Sequence, residues 1–440
     1  MSQEINKAEK QDLSLVVQAI GTDLEHTQVR VVASANADML FHYWKVGHFI
    51  LYLQKKEGWG SKVIDNLSKA IRSKYPDKKG YSRRNIFYMC QFASAYPLEV
   101  LKEMDRIDSL LTTPTVEKVL SLTNELNQIV QQPVALIQAT ENQSNTIMQQ
   151  PVAQLEEVTE TLSTIYHCDI SQIEEIFKHS AIVRTNWASH VILLNSKLPL
   201  GECYWYITQA VANGWSRNVL QMQIESNLFA RQITTKKVSN FSVRLPKPQS
   251  DLANYLMKDP YIFDIMGQTD KMAERDIERQ LVSHITKYLL EMGSGFAFVA
   301  QQKHFEVGDS DFYADLILYN IQLHAYVVIE LKATPFKPEY MGQLNFYINV
   351  VDDTLRGEHD NKTIGLLLCN GGDKVVAQYA LSGYDQPISV SDYQLTNAIP
   401  DNLKSALPTV EEVEEELSKI VDKNIYTTFD DDPVSVQTIE

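Results

Sequence analysis

Apolar residues recur at helical spacing through the N-terminal part of the chain and predict a run of short helices. The pattern covers residues 10–56, 61–75 and 83–95. Pro76 ends the helix at 61–75, and Ser82 has the side chain and the position of an N-cap for the helix at 83–95. Short helices joined by tight turns predict a helix-turn-helix or winged-helix-like unit.

The C-terminal half has alternating and continuous apolar runs, which are typical of strands. A helix that starts at residue 271 is expected to end at Gly293. Three strands, a helix and a further strand are then predicted at 296–307, 312–320, 325–331, 338–350 and 363–369. This α-β-β-β-α-β order is that of a restriction-endonuclease-like core. The sequence therefore predicts an α+β protein, with mainly helical N-terminal and middle regions followed by an α/β restriction-endonuclease-like C-terminal domain.

The middle of the chain is richer in Gln, Thr, Val and Glu and contains a repeated pentapeptide. QQPVA occurs at 131–135 and again at 149–153, and no glycine lies between Gly80 and Gly201. We interpret 111–180 as a Gln-rich helical insertion or arm, for example for self-association. A low-complexity linker is the alternative.

Length and composition are those of an ordinary globular protein. The chain has 440 residues, of which 44% are hydrophobic and 22% charged, enough for two or three domains. The four cysteines have no C-x-x-C spacing, which favours a reducing cytoplasm without disulfides or structural zinc. The polar start lacks the apolar stretch of a signal peptide, and no apolar run approaches the ~18 residues of a membrane span. We therefore expect a cytoplasmic, soluble protein without membrane contact.

The net charge of -16 is unevenly distributed along the chain. Residues 31–96 carry 11 Lys and Arg against 4 Asp and Glu, and residues 181–248 carry 8 against 2. Residues 409–440 carry 10 acidic residues against 2 lysines. The two basic segments favour a polyanion such as nucleic acid as partner. A solvated helix face is the alternative for either segment.

Four residues in the basic segments are predicted nucleic-acid contacts. Arg83, Arg84 and Asn85 occupy the first turn of a predicted helix, where cations oppose the macrodipole. A phosphate or base contact would explain this placement, and a surface accident is the alternative. Arg217 directly follows Ser216, the expected N-cap of a later helix, and is the fourth predicted contact.

Two predicted strands carry the candidate chemistry. Asp315 lies in one and Glu330 in the next, each among apolar residues, and Lys332 shares a strand face with Glu330. Burying two carboxylates together is costly unless a cation lies between them. The pattern predicts a Mg²⁺ site, with Mn²⁺ as a substitute. A solvent-exposed Asp315 and a Glu330–Lys332 salt bridge are the alternative interpretation.

Further residues complete the predicted site. Gln343 and Tyr347 share one face of the following helix and could orient the metal shell or the substrate backbone. Glu278, on the preceding helix, could supply a third carboxylate, and a solvated helix residue is the alternative. In this hypothesis the metal lowers the pKa of the attacking water, and Lys332 holds that water or balances developing negative charge.

Several long motifs occur in an order shared with a known family. They are YWKVGHFI, WGSKVIDNLS, YSRRNIFYMCQF, WASHVILL, GWSRNVLQMQIES, LPKPQSDLANYLMKDPYIFD, ERQL, DFYADLILY, VVIELK and FKPEYMGQLNFY. The chain resembles the YhcG-like PD-(D/E)xK nucleases over most of its length, including their N-terminal helical, DNA-binding-like domain. The resemblance implies that Ala314 replaces the usual proline. It assigns the motif carboxylates, lysine and helix glutamine to Glu278, Asp315, Glu330, Lys332 and Gln343.

Together these patterns divide the chain into five predicted segments. KDPYIFD at 258–264 is interpreted as a turn that leads into the nuclease domain. The segments are a helical DNA-binding-like domain at 10–110, the insertion at 111–180, a second part of the N-terminal family region at 181–268, a PD-(D/E)xK nuclease domain at 269–400 and an acidic tail at 401–440.

The predicted function is Mg²⁺-dependent hydrolysis of phosphodiester bonds in DNA. The resemblance suggests bacterial genome maintenance or defence, close to the nucleoid. One alternative is a catalytically silent nucleic-acid-binding or scaffold protein on a nuclease fold, and another is an RNA-directed nuclease. A homodimer is a further expectation, because duplex cutting needs two active sites or two events.

Overall fold

The structure is a computed structural model that describes most of the chain between residues 30 and 396. The described residues are 30–53, 62–77, 79–110, 114–131, 162–164, 166–264, 277, 285–293 and 295–396. The predictions for the second QQPVA copy, Glu278 and the acidic tail lie outside them. Within the described residues, we find no helix with the length and apolar composition needed to cross a membrane.

The described N-terminal part consists of five helices. They are α1 at 30–53, α2 at Lys62–Lys74, α3 at Arg83–Ala95, α4 at Leu98–Leu110 and α5 at Val116–Gln131. The predicted cap of α3 is confirmed, because the Ser82 side chain accepts a hydrogen bond from the Asn85 backbone N–H at 3.2 Å. The described residues between 30 and 131 include helices and turns and no β-strand.

The middle region adds five longer helices and three short helical turns. The longer helices are α6 at Ile170–His179, α7 at Trp187–Ser196, α8 at Leu200–Ala212, α9 at Arg217–Glu225 and α10 at Gln249–Leu256, and the turns are Ala181–Arg184, Ala230–Thr234 and Phe241–Arg244. Ser216 caps α9 as predicted, accepting from the Val219 backbone N–H. Helices α5 and α8 pack closely: a Cβ on Gly201 would lie 2.2 Å from the Thr123 carbonyl oxygen.

In the described residues of the C-terminal part, a seven-stranded mixed sheet occurs together with three helices. The strands are β1 at Val238–Ser239, β2 at Tyr261–Asp264, β3 at Phe296–Val307, β4 at Ser310–Asn320, β5 at Ala325–Lys332, β6 at Ile364–Cys369 and β7 at Ile388–Thr396. The helices are α11 at Ile285–Met292, α12 at Tyr340–Thr354 and α13 at Lys374–Leu381.

The strand order is β1-β7-β6-β5-β4-β3, and β2 also pairs with β7. Strands β3, β4 and β5 are antiparallel neighbours, whereas β5, β6 and β7 are parallel. The connection from β5 to β6 runs through α12, as a parallel pair requires. The carboxyl ends of β5 and β6 therefore lie together at one edge of the sheet.

The predicted fold class and the predicted α-β-β-β-α-β order are confirmed. Gly293 directly follows α11 and has a φ of 105°, which only glycine adopts readily. One prediction is wrong: the last four residues of KDPYIFD form β2 instead of a turn. A four-residue strand is too short to show a period, and its partner, in the register Tyr261 to Tyr393, is remote in sequence.

The two faces of the sheet belong to different cores. Leu316, Ile329 and Leu366 pack into a core that continues through the helices of the N-terminal and middle regions. Ile317 and Val328, on the opposite face, pack under α12 in a second core. Strand alternation explains the division, since neighbouring residues point to opposite faces. The candidate site lies on the α12 face.

Candidate active site

The pairing of β4 with β5 brings the two candidate carboxylates together. The last registered pair of this ladder joins Leu316 to Ile329, so Asp315 and Glu330 are the next residues beyond it. Glu330 and Lys332 follow Val328 at intervals of two residues along β5. All three side chains therefore lie on the α12 face of the sheet. The structure thus places the three side chains close together, as the sequence predicts.

The Asp315 carboxylate is buried and held by a hydrogen bond to each oxygen. Gln302 Nε2 donates to Oδ1 at 3.1 Å, and the Leu331 backbone N–H donates to Oδ2 at 3.0 Å. Burial raises the pKa of Asp315, while these donors and the nearby Lys332 ammonium oppose the rise. The solvent-exposed alternative for Asp315 is therefore wrong, since only 8% of the residue is exposed.

The Glu330 carboxylate is fully buried and poorly compensated. Lys332 Nζ lies 3.2 Å from Oε2, but among the described residues neither oxygen accepts a hydrogen bond of good geometry. Burial, and secondarily the charge of Asp315, raises the pKa of Glu330 to about 8. A salt bridge with Lys332 does exist, but it is buried, so the small worth of a surface pair does not apply to it.

Helix α12 covers this part of the sheet and brings two more predicted residues to it. A Cβ on Gly365 of β6 would lie 2.6 Å from Ile348 Cδ1, so the glycine permits the close approach of the helix. Tyr347 is buried, and burial raises its pKa; the Glu330 and Asp315 charges raise it further, whereas contact with Gln343 lowers it. Gln343 itself is exposed one turn earlier.

Two contacts at the site were not predicted from the sequence. Tyr340 lies beside the lysine, with Lys332 Nζ 5.7 Å from its ring centre, and its hydroxyl shares a 2.6 Å hydrogen bond with Thr334. Gln302 is the donor to Asp315 described above. Counting back along β3 and β4 from the hairpin pair Val307–Ser310 would have placed Gln302 opposite Asp315.

The donor set fits a hard divalent cation. Asp315 and Glu330 offer carboxylate oxygens, which Mg²⁺ prefers, and the buried Glu330 oxygens accept no hydrogen bond of good geometry from the described residues. The described residues contain no group of three or more His, Cys, Asp and Glu side chains arranged to hold a metal. The predicted third carboxylate, Glu278, lies outside them.

The four predicted nucleic-acid contacts lie on helices away from the sheet. Arg83 and Arg84 are exposed on α3; Arg83 Nε lies 2.9 Å from Asp65 Oδ1, and Arg84 donates to the Tyr88 hydroxyl at 3.3 Å. Arg217 is exposed in the first turn of α9.

Asn85 has a structural use that the sequence did not reveal. Its Nδ2 donates to the Gly80 carbonyl at 2.5 Å, and its Oδ1 accepts from Trp187 Nε1 at 2.7 Å. Both ends of the amide therefore hold α3 to its own turn and to α7. This leaves Asn85 with less hydrogen-bonding capacity for a base than its neighbours in the same turn.

Two family models match separate parts of the chain. Residues 254–408 match the YhcG PDDEXK nuclease domain, and residues 19–122 match the DUF1016 N-terminal domain. The resemblance predicted from the motifs is thereby confirmed, for the nuclease region and for the N-terminal helical region. Residues 254–408 are therefore similar to a PDDEXK nuclease domain.

Individual proteins are also similar to parts of the chain. The chain is 28% identical over 203 residues to an Escherichia coli (strain K12) protein named "Putative nuclease YhcG". The aligned region covers 46% of this chain and 54% of that protein. The chain thus spans about half the length of this curated relative. Two solved structures are each 14% identical to this chain over 30% of its length. The match to a repair endonuclease from Pyrococcus abyssi covers 49% of that protein, with a TM-score of 0.21. The match to a complex of EndoMS with dsDNA covers 50% of that protein, with a TM-score of 0.20.

Proposed function

We propose that this protein is a metal-dependent nuclease that hydrolyses phosphodiester bonds in DNA. The observation that carries the proposal is a fully buried Glu330 beside a second buried carboxylate, with Lys332 near it but no hydrogen bond of good geometry to its oxygens from the described residues. Such an arrangement is costly for stability alone, because buried charges are otherwise paired and hydrogen-bonded. The match of residues 254–408 to a nuclease domain supports the same conclusion.

Asp315 and Glu330 would hold a Mg²⁺ ion, with Glu278 as the third carboxylate and Mn²⁺ as a substitute. When bound, such a cation lowers the pKa of an attacking water and offsets negative charge on the phosphate. The hydrogen bonds from Gln302 and Leu331 keep the Asp315 carboxylate in one orientation. Metal binding requires both carboxylates to be ionised. The raised pKa of Glu330 favours its protonated form, so metal binding must displace that proton.

Lys332 and α12 would act on the reacting groups. The Lys332 ammonium, beside Glu330, holds the attacking water or balances the charge that develops on the phosphate oxygens. Gln343 is exposed on α12 and faces substrate more readily than the buried Tyr347. Tyr347 supports the Gln343 amide and the carboxylate pair from beneath.

Helices α2 and α3 supply a basic surface for the DNA backbone. Their exposed cations include Lys69, Arg72, Lys74, Arg83 and Arg84. Tyr75 and Phe87 are about half exposed on the same two-helix unit, at 48% and 49%. Exposed cations interleaved with aromatic side chains are typical of nucleic-acid surfaces. Arg217 on α9 would extend this contact.

A panel of labelled nucleic acids tests the proposal. Duplex, single-stranded, branched and modified DNA, together with RNA, would be incubated with the protein in Mg²⁺, in Mn²⁺ or in EDTA. We expect metal-dependent DNA cleavage, reduced roughly 10²–10³-fold or more by Asp315→Ala or Glu330→Ala. Asp311→Asn, an exposed acid on the same strand, is the matched control and should cleave normally.

Three outcomes would contradict the proposal. Cleavage that survives both alanine substitutions would remove the carboxylates from the chemistry. Cleavage of RNA alone would make the protein an RNA-directed nuclease. DNA binding that is equal in EDTA, with no cleavage of any substrate, would make it a binding or scaffold protein on a nuclease fold.

A further inference from the structure

Gln302 has an unusual backbone conformation at a central point of β3. Its φ is 46°, in the left-handed region that residues other than glycine rarely adopt, and least of all inside a strand. The residue is half-buried, and its side chain donates to the Asp315 carboxylate at 3.1 Å. Disfavoured backbone conformations persist where the surrounding structure uses them, and they concentrate at functional sites.

An inserted residue does not explain this conformation. The β3–β4 register does shift once, between Phe298 and Ala300, which accommodates an extra residue at that point. From Ala300 onward the register stays constant, including the pairs at Gln301 and Lys303 on either side of Gln302. The left-handed residue therefore lies within a ladder whose register needs no correction.

The side-chain pattern of the opposite strand shows what changes at Gln302. Ala314 and Ile317 both pack in the core under α12, although residues three apart face opposite sides of a regular strand. Leu316 packs in the other core, so the alternation breaks between Ala314 and Leu316, at Asp315. Gln302 is the residue directly across from that break. Its left-handed backbone and the altered pleat thus coincide at the candidate carboxylate.

The hydrogen bonds separate the two carboxylates into a fixed one and a loosely held one. Asp315 accepts one donor on each oxygen, from Gln302 and from the Leu331 backbone. Glu330 accepts none of good geometry from the described residues. Without Gln302, the Oδ1 oxygen would lose its side-chain donor, and Asp315 could rotate about the bond to Leu331. Gln302 therefore supplies one of the two hydrogen bonds that hold this carboxylate.

We propose that Gln302 is a positioning residue, whose amide fixes the Asp315 carboxylate in the orientation that binds the metal and whose left-handed backbone is retained for this purpose. The inference rests on the proposed function, since it concerns the same carboxylate pair. Residues that orient metal ligands typically contribute 10–100-fold to affinity or activity, roughly the size expected here. Gln302 itself contacts neither substrate nor metal in this account.

Two substitutions separate the amide from the backbone. Gln302→Ala removes the donor and keeps a Cβ in the left-handed region, whereas Gln302→Gly removes the donor and relieves the strain. Gln301→Ala is the matched control, because Gln301 is the neighbouring residue of β3 and pairs with Leu316 instead. Mn²⁺ affinity by calorimetry, kcat on the best-cleaved nucleic acid and Tm would be measured on the full chain.

We expect both Gln302 variants to bind Mn²⁺ about 10–100-fold more weakly and to lose kcat by a similar factor. The glycine variant should melt above the alanine variant, so that stability and activity do not change together. Gln301→Ala should keep Mn²⁺ affinity and kcat within about twofold of wild type, the change usual for a residue outside the ligand shell.

Two results would overturn the proposal while leaving the proposed function intact. One is wild-type Mn²⁺ affinity and kcat in Gln302→Ala. The other is full recovery of both in Gln302→Gly, which would assign Gln302 to backbone geometry alone. If the wild-type chain binds no Mn²⁺ and cleaves nothing, the proposed function fails first and the positioning role falls with it. Asp315→Asn, measured beside them, shows the size of a complete loss.

Discussion

Two clusters of buried charge in this protein differ in how well they are satisfied. Glu291 of α11 accepts from Arg231 Nη1 at 2.5 Å and from the Ile262 backbone N–H at 2.9 Å, and Lys258 donates to its main-chain carbonyl. Glu330 is at least as buried, with 0% of the residue exposed against 7% for Glu291. Its only charged partner within 4 Å among the described residues is Lys332.

The difference is the one expected between a structural cluster and the proposed active site. The cluster around Glu291 joins the π-helical turn at 230–234 to α11 and β2, and its hydrogen bonds offset much of the desolvation cost. In the pair at Glu330 and Asp315, the Glu330 oxygens accept no hydrogen bond of good geometry from the described residues. Burial of charge alone therefore does not distinguish the two clusters; the hydrogen bonding of each carboxylate does.

Removing one acid from each cluster should lower stability by different amounts. Glu291→Gln leaves Arg231 buried without its anion, and we expect the free energy of unfolding to fall by about 3–5 kcal/mol. Glu330→Gln should cost less than about 1.5 kcal/mol, because Lys332 keeps Asp315 as a nearby opposite charge. Urea denaturation of both variants without metal measures the two values. Equal losses would mean that Glu330 is as structural as Glu291.

Metal-free stability should depend on pH through Glu330. Its pKa is about 8 in the folded protein, against 4.5 ordinarily, so the native state holds more protons than the unfolded state between these values. This contribution to stability is complete below pH about 4.5 and is lost as pH rises through about 8. The difference in unfolding free energy between wild type and Glu330→Gln should therefore shrink or reverse as the pH rises.

The control for this pH series is Glu306→Gln, which removes an acid from the exposed end of β3. Its stability should run parallel to wild type across the same range. A wild-type curve that instead stays parallel to that of Glu330→Gln from pH 5 to 8 would show that Glu330 is already ionised and compensated in the folded protein.

A smaller effect is expected on α3, where the exposed Arg83 and Arg84 lie beside Asn85. The Asn85 side chain makes hydrogen bonds within the fold. Asn85→Ala should lower stability by about 1–3 kcal/mol, because it leaves Trp187 Nε1 and the Gly80 carbonyl without their partner. Arg84→Ala should leave stability within about 0.5 kcal/mol but weaken DNA binding and reduce the salt slope by about 0.9. Affinity measured at several salt concentrations, with melting curves, distinguishes the two. If Asn85→Ala weakened DNA binding and Arg84→Ala lowered stability, Asn85 would be a DNA contact as first predicted.

Much of the sheet and of the site could be predicted because their signals are local. The apolar runs of β3, β4, β5 and β6 are long enough to show a strand pattern, and α12 has a clear helical face. Alternation then places Glu330 and Lys332 on one face from sequence alone. The order of these elements sufficed to predict the fold class, which the structure confirms.

The rest depends on partners that are distant in sequence. Strand β1 has two residues, and its position is fixed only by pairing with β7, as in Val238 with Val390. The hydrogen bond between Asn85 and Trp187 joins residues 102 positions apart. The left-handed φ of Gln302 has no sequence signature, because glutamine rarely adopts it and no local turn motif announces it. These features follow from tertiary structure, and periodicity cannot reveal them.

The most direct test of the central claim is to locate a metal by anomalous scattering from crystals of the whole chain grown with Mn²⁺. We expect one strong peak within coordination distance of a carboxylate oxygen of both Asp315 and Glu330. No peak is expected at Glu291. Crystals of Glu330→Gln should lack the strong peak. A site that stays empty at saturating Mn²⁺ while the protein still cleaves DNA would contradict the account.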